Sequence, residues 1–209
     1  FEFKEVDESF ILRELGSLKT NKATGLDQIS AKLLKDSSSI IASGLTKIIN
    51  ASFVSQTFPD VWKKGKIIPF FKSNDPTSPN NYRPITILPI VSKIMERIVH
   101  RQVYEYLQEH DLITSEQFGF RPKLSTSIAL TQLTEEILHN LDNKLVTGAV
   151  FIDLRKAFDT VDHELLILKL RNLGFSKSVI NWFTSYLSSR TVVTSINNST
   201  SSARPVTVG

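Results

Sequence analysis

The stretch "GAVFIDLRKAFDTVDHELLILKL", residues 148–170, decides how this chain is read. Four apolar residues, Ala149–Ile152, run straight into the carboxylate of Asp153, and "AFD" and "DHELL" follow closely. The apolar run predicts a strand at residues 146–153. A strand that ends in an acid raises a question, because an ionised carboxylate in apolar surroundings needs a cation or hydrogen-bond donors. The next two acids read more simply. Asp162 stands where the N-cap of a helix from about Glu164 belongs, and Asp159 lies in the connection before it. Asp153, at a strand's C-terminal end, sits where hard-metal ligands are common.

Outward from this stretch the chain reads as a mixed α/β (α+β) protein without repeats or low-complexity tracts. Upstream, helices are expected at residues 7–17, at 30–53 with a break at "DSSS", at 91–109, and in "SIALTQLTEEILHNLDN". "GKIIPFF" has the apolar density of a strand, and "KSNDPTSPNNYRP" reads as a long hairpin connection. Downstream, the helix from Glu164 ends at Gly174, and a further helix carries Val179, Ile180, Trp182, Phe183, Tyr186 and Leu187 at helical spacing. Residues 190–208 read as two strands around "NNSTSS".

With 209 residues and 41% hydrophobic content the chain can bury a sizeable core. No apolar run reaches the roughly 18 residues that span a bilayer, and the first ten residues lack the pattern of a signal peptide. Cysteine is absent, which excludes disulfides and thiolate metal sites and suits a reducing, intracellular setting. The net charge is +4, and its placement is informative. Between Trp62 and Arg83 stand five cations, Lys63, Lys64, Lys66, Lys72 and Arg83, against the single anion Asp75. Lys93, Arg97 and Arg101 form a second basic row at i, i+4, i+8. Concentrated cations suit phosphates, although a solvated lysine-rich surface has the same composition. A hard-metal acid together with basic patches points to phosphate chemistry. The residues alone take the reading no further, because no second acid shares the apolar surroundings of Asp153.

Four blocks together resemble the reverse transcriptases of LINE-type, non-LTR retrotransposons. "FIDLRKAFDTVDH" is similar to that family's first palm motif, "NYRPITILPIVSKIMERIV" to its fingers motif, "EQFGFRPKLSTSIAL" to its "Q-x-GFRPG" block, and "NKATGLDQISAKLLK" to its "KAxGxDxI" block. They stand in the family's order over about residues 20–170. A group II intron maturase shares "GFRP" and the acid but fits "NYRPITILP" less well. The resemblance implies the fingers and the start of the palm of a right-hand polymerase. It divides the chain into an N-terminal extension with fingers at residues 1–145 and a partial palm at 146–209.

The same resemblance implies roles for single residues. Asp153 would be the first catalytic carboxylate and a metal ligand, with the Leu154 carbonyl a main-chain ligand. Phe158 would lie against the sugar of the incoming nucleotide, where its ring selects dNTPs over rNTPs. Arg83 would grip the triphosphate with Lys72, with Lys66 as the rival lysine. Arg121 is expected near template or nucleotide, or in a structural role. Lys66, Arg97 and Arg101 would contact nucleic acid. Lys123-Leu124 departs from the family, which often has Gly at the first of these positions. The implied cofactor is Mg2+, two ions in a complete enzyme, and the implied partners are an RNA template, a DNA primer and dNTP within a retrotransposon RNA–protein complex of nucleus and cytoplasm, with no membrane. The family's next block, "VPQG", and its Tyr-Ala-Asp-Asp hairpin would follow Gly209, so the two remaining metal-binding aspartates are expected outside this sequence and the 209-residue chain is expected to be inactive alone. The alternative is the product of a decayed element that at most binds nucleic acid.

Overall fold

The computed structural model describes residues 1–197 and 199–209. They fall into two compact units, Phe1–Tyr104 together with Phe158–Gly209, and Glu105–Ala157.

The first unit is built on helices whose ends the sequence encodes. Helix α1 (Glu8–Gly16) buries Ile11 and Leu15. Helix α2 (Ala31–Asp36) starts at Ser30, whose hydroxyl accepts the Leu33 N–H. The "DSSS" break is a single residue, Ser37, beyond which α3 (Ser38–Ser55) runs until Gln56 turns left-handed at φ 57°. Helix α4 (Ile90–Glu109) buries Ile94, Met95, Ile98 and Val99. Helices α6 (His163–Asn172) and α7 (Lys177–Leu187) are capped by Asp162, which accepts the Leu165 N–H, and by Ser176, which accepts the Val179 N–H. Gly174 supplies the positive φ of the turn between them, 82°.

One hydrophobic core joins α1–α4 and α7 around Trp182. The indole N–H donates to Ser52 Oγ across 3.0 Å, the Phe58 ring meets the indole edge-on at 5.5 Å, and Tyr186 stacks parallel to it at 5.6 Å. Beside the core lies a five-stranded mixed sheet of order β2-β1-β3-β4, with β5 on β3. Strands β1 (Lys64–Phe71) and β2 (Tyr82–Ile87) form the expected hairpin, in register from Lys66–Ile87 to Phe71–Tyr82. Strand β3 (Thr191–Ile196) lies parallel to β1. The single return strand read from the sequence is two short pieces, β4 (Ser199–Thr200) and β5 (Arg204–Pro205), and Asn198 within the expected turn lies outside the described residues.

The second unit carries α5 (Thr126–Asp142), capped by Ser125 through the Ile128 N–H. It also carries the main correction to the sequence reading. Residues 146–153 are not a strand. Val150, Phe151 and Ile152 are 83–86% exposed, and no strand among the described residues pairs with them. Apolar content favours a strand only where a neighbour accepts its N–H and C=O groups and covers its faces. Asp153 is correspondingly exposed, so the buried acid that the sequence suggested does not arise. Among the described residues no helix is long and apolar enough to cross a membrane.

Candidate nucleic-acid and nucleotide site

The β1–β2 hairpin places three of the expected cations. Lys66 faces Ile87, and Phe70 faces Arg83, in an antiparallel ladder. Paired residues share a face and alternate residues of a strand return to it, so Lys66, Phe70 and Arg83 lie on one side of the hairpin. Phe70 is 61% exposed there and Arg83 is exposed. Lys72 follows β1 and donates its N–H to Asn81 O at 2.8 Å, which brings it to the end of the hairpin where Arg83 stands. The long loop between them is braced rather than open. Asp75 accepts the Thr77 N–H and hydroxyl, Asn81 Nδ2 donates to Asp75 O, and the Tyr82 hydroxyl donates to Pro76 O. The Thr77 N–H and hydroxyl hold the Asp75 carboxyl below the usual range. Its charge is thereby tied into the loop.

Lys63 does not belong to the exposed patch in which the sequence placed it. Its side chain is 4% exposed and its ammonium pairs with Asp60 Oδ1 at 2.8 Å. Trp62 and Lys63 turn inward at the end of the short 3-10 turn Asp60–Trp62, leaving Lys64, Lys66, Lys72 and Arg83 to carry the patch.

The basic row of α4 is partly engaged by α1. Arg97 Nη1 donates to Glu14 Oε2 at 2.7 Å, and the Arg101 guanidinium lies 5.3 Å from the Phe10 ring centroid. Arg97 remains about half exposed. In the second unit Arg121 Nη1 donates to Thr114 O at 3.0 Å, a contact within its own loop. Beside it the Glu116 carboxyl, bonded by the Ser115 and Thr114 hydroxyls, is held down to about 2. Lys123, where the resembled family often has glycine, has φ 66°, in the left-handed region that glycine fills without strain. Asp153 and Leu154 also belong to this unit, whereas Phe158 lies in the first, in the 3-10 turn Ala157–Thr160.

Among the described residues no three Asp, Glu, His or Cys side chains converge to hold a metal. Asp153 offers one exposed carboxylate, which by itself does not amount to a metal centre.

A half-buried polar cluster escaped the sequence reading. Glu96 accepts the Ser92 and Tyr186 hydroxyls at 3.1 and 3.3 Å, and Arg190 lies over the Tyr186 ring at 4.7 Å while donating to the Tyr186 carbonyl. It bonds α4 to α7. Its sequence signal was faint: a Glu directly after "KIM", within the apolar face of the helix.

Comparison with known proteins identifies the family to which these residues belong. Residues 63–209 match the family described as reverse transcriptase (RNA-dependent DNA polymerase). The chain is similar to a probable RNA-directed DNA polymerase from transposon BS of Drosophila melanogaster, 34% identical over 200 residues that make up 95% of this chain and 22% of that protein. A probable RNA-directed DNA polymerase from transposon X-element of the same organism is 36% identical over 152 residues, 72% of this chain and 17% of the relative. The RNA-directed DNA polymerase from mobile element jockey is 31% identical over 199 residues, 93% and 21% respectively. The chain spans about a fifth of the length of these relatives.

Proposed function

Because the chain belongs to the reverse transcriptase (RNA-dependent DNA polymerase) family and is related to the polymerases of non-LTR retrotransposons, we propose that it forms the fingers and opening palm of such an enzyme. Residues 1–145 would be the N-terminal extension and fingers, and 146–209 the partial palm. The reaction is the copying of RNA into DNA. A primer 3′-hydroxyl oxygen bonds to the α-phosphorus of a dNTP, and pyrophosphate leaves. In this reading Lys72 and Arg83 hold the triphosphate, with Phe158 against the nucleotide sugar. Lys66, Arg121, Arg97 and Arg101 meet the nucleic acid.

Family members typically work with divalent metal ions. Asp153 and the Leu154 carbonyl are proposed as two ligands of a Mg2+ set that further carboxylates complete. The exposed state of Asp153 favours a second reading, in which the chain by itself binds nucleic acid without catalysis.

The observation that carries the proposal is the hairpin, which presents Lys66, Phe70 and Arg83 on one face beside Lys72. A guanidinium fork and an ammonium beside an exposed ring suit a triphosphate with its base. The test is binding of a fluorescent dNTP and of an RNA–DNA hybrid to the chain. Lys72→Ala and Arg83→Ala are each expected to weaken the dNTP by about tenfold, the loss of one charge-assisted hydrogen bond. Unchanged affinity in the double variant would remove the assignment.

A further inference from the structure

Away from the hairpin, a pocket of about 320 Å3 opens between the end of α1 and the start of α4. Leu18, Ala31 and Ile90 line it with apolar surface. Four cations also line it: Lys19 and Lys22 from the loop after α1, and Lys93 and Arg97 from α4. Among the described residues the one acid in ion-pair contact with this group is Glu14, on Arg97. Lys19, Lys22 and Lys93 make no ion pair there, and Lys93 acts on Glu96 only at longer range.

Like charges gathered around a concave apolar surface raise one another's energy, and the low-dielectric wall focuses their field into the opening. An anion bound among them relieves that repulsion. The volume lies at the small end of ligand pockets, roughly 300–1,000 Å3, which suits a single sugar-phosphate unit. The combination of lining groups matches such a unit: cations for the phosphate oxygens, and Leu18, Ala31 and Ile90 for the face of the sugar. Arg97, held on one side by Glu14, presents its remaining N–H groups in a fixed orientation.

We propose that this pocket binds a phosphodiester of a nucleic-acid strand, as a contact separate from the β1–β2 hairpin. The proposal rests on the nucleic-acid reading above. It assigns Lys19 and Lys22 a role that the sequence did not suggest, since residues 19–22 meet the Lys93–Arg97 row only in the fold.

The experiment compares two charge-reversal variants of the whole chain. K19E/K22E alters the pocket, and K32E/K35E makes the same change in net charge on exposed residues of α2 that do not line it. Binding of a fluorescein-labelled single-stranded RNA of about 12 nucleotides is followed by anisotropy over a range of salt. K19E/K22E is expected to weaken binding about tenfold or more and to lower the salt slope by about 0.7, the one phosphate contact the pocket makes. K32E/K35E should change affinity less than about threefold.

Equal losses in the two variants would reduce the pocket to general charge and overturn the proposal. An intact K19E/K22E beside a weakened Lys72→Ala/Arg83→Ala variant would overturn the pocket while leaving the nucleic-acid reading in place. If the unmodified chain binds no RNA, amide shifts on titration with inorganic pyrophosphate decide between two failures. Movement at Lys19, Lys22 and Lys93 makes the pocket a small-anion site and overturns the strand contact. Absence of movement overturns both readings.

Discussion

Tyr186 donates its hydroxyl to Glu96 Oε1 across 3.3 Å, and the fully buried Ser92 donates to the same oxygen across 3.1 Å. Burial raises the Glu96 pKa above the ordinary carboxylate range, while the Ser92 hydroxyl, Arg190, the Tyr186 hydroxyl and Lys93 pull it back. Burial and the adjacent carboxylate push the Tyr186 phenol up to about 12, so it remains a donor throughout the physiological range. The native state therefore holds a proton on Glu96 more tightly than the unfolded chain does. Its contribution to stability is complete below the unfolded carboxylate pKa and is lost as pH rises through the raised native value. Glu96→Gln keeps an acceptor and removes the titration. Urea unfolding from about pH 4 to about pH 7 is expected to show the variant gaining on the wild type as pH rises. Parallel pH curves would contradict the raised pKa.

The bond between Trp182 and Ser52 sets a second expectation. The indole is 1% exposed and its N–H has Ser52 Oγ at 3.0 Å, while Ser52 itself donates to the Thr57 carbonyl. Ser52→Ala removes the acceptor of one buried bond and the donor of another. Orphaned buried polar groups cost about 1–3 kcal/mol each. Because Thr57 is exposed and its carbonyl can turn to water, urea unfolding of Ser52→Ala should show one such loss, that of the buried indole N–H, with an unchanged m-value. A change below about 0.5 kcal/mol would mean that the site relaxes or admits water.

Lys123 is a place where backbone geometry and residue type disagree. A residue with a Cβ in the left-handed region carries about 1–2 kcal/mol of strain, partly offset for glycine by the entropy it loses on folding. Lys123→Gly is expected to stabilise the loop that Arg121 ties to Thr114 by about 1 kcal/mol. Slower amide exchange around Arg121 would register it, and Lys123→Val should act in the opposite direction. Faster exchange in the glycine variant would show that the positive φ is not maintained in solution.

The exposed tract Val150–Phe151–Ile152 is a surface of a different kind, since three neighbouring large side chains stand more than 80% exposed. Unpaired apolar backbone invites pairing with another chain. The chain is expected to self-associate with rising concentration, and Phe151→Lys with Ile152→Lys to return it to monomer at unchanged thermal midpoint, as read by sedimentation and melting. A wild-type chain that stays monomeric at high concentration would refute this.

How far the sequence could be read depends on the range of the interactions. Helices α1 to α7 announce themselves through period and caps, because Ser30, Ser125, Asp162 and Ser176 bond the backbone only three residues ahead. The β1–β2 hairpin is legible for the same reason, being two apolar runs around one turn-rich loop. Lys63 was misplaced because its partner Asp60 lies just outside the window over which charge was counted, and because nothing local says that the lysine turns inward. Glu96 was missed because α7, which covers it, is ninety residues away. The gathering of Lys19 and Lys22 with Lys93 and Arg97 is likewise a property of the packing of α1 on α4. At residues 146–153 apolar composition predicts a strand, yet composition records a preference for burial and supplies no partner. The role of Asp153 rests on the resemblance, since nothing in its exposed surroundings marks it out.

That exposed carboxylate leads to the last expectation. Nucleotidyl transfer with divalent ions needs several oxygen ligands around each ion, and one carboxylate with a main-chain carbonyl holds an ion weakly. Among the described residues no three Asp, Glu, His or Cys side chains gather around Asp153. The 209-residue chain is therefore expected to bind an RNA–DNA hybrid yet add no dNMP to the primer, whether Mg2+ or Mn2+ is supplied. Asp153→Asn should leave hybrid affinity within about twofold, because a single exposed charge contributes little beside the polyanion. A gel assay with labelled primer decides the matter. Extension by the wild-type chain that disappears in Asp153→Asn would mean that this chain assembles a carboxylate set from its own acids, with Asp159 the first to substitute. Extension that survives the substitution would remove Asp153 from the proposed site altogether.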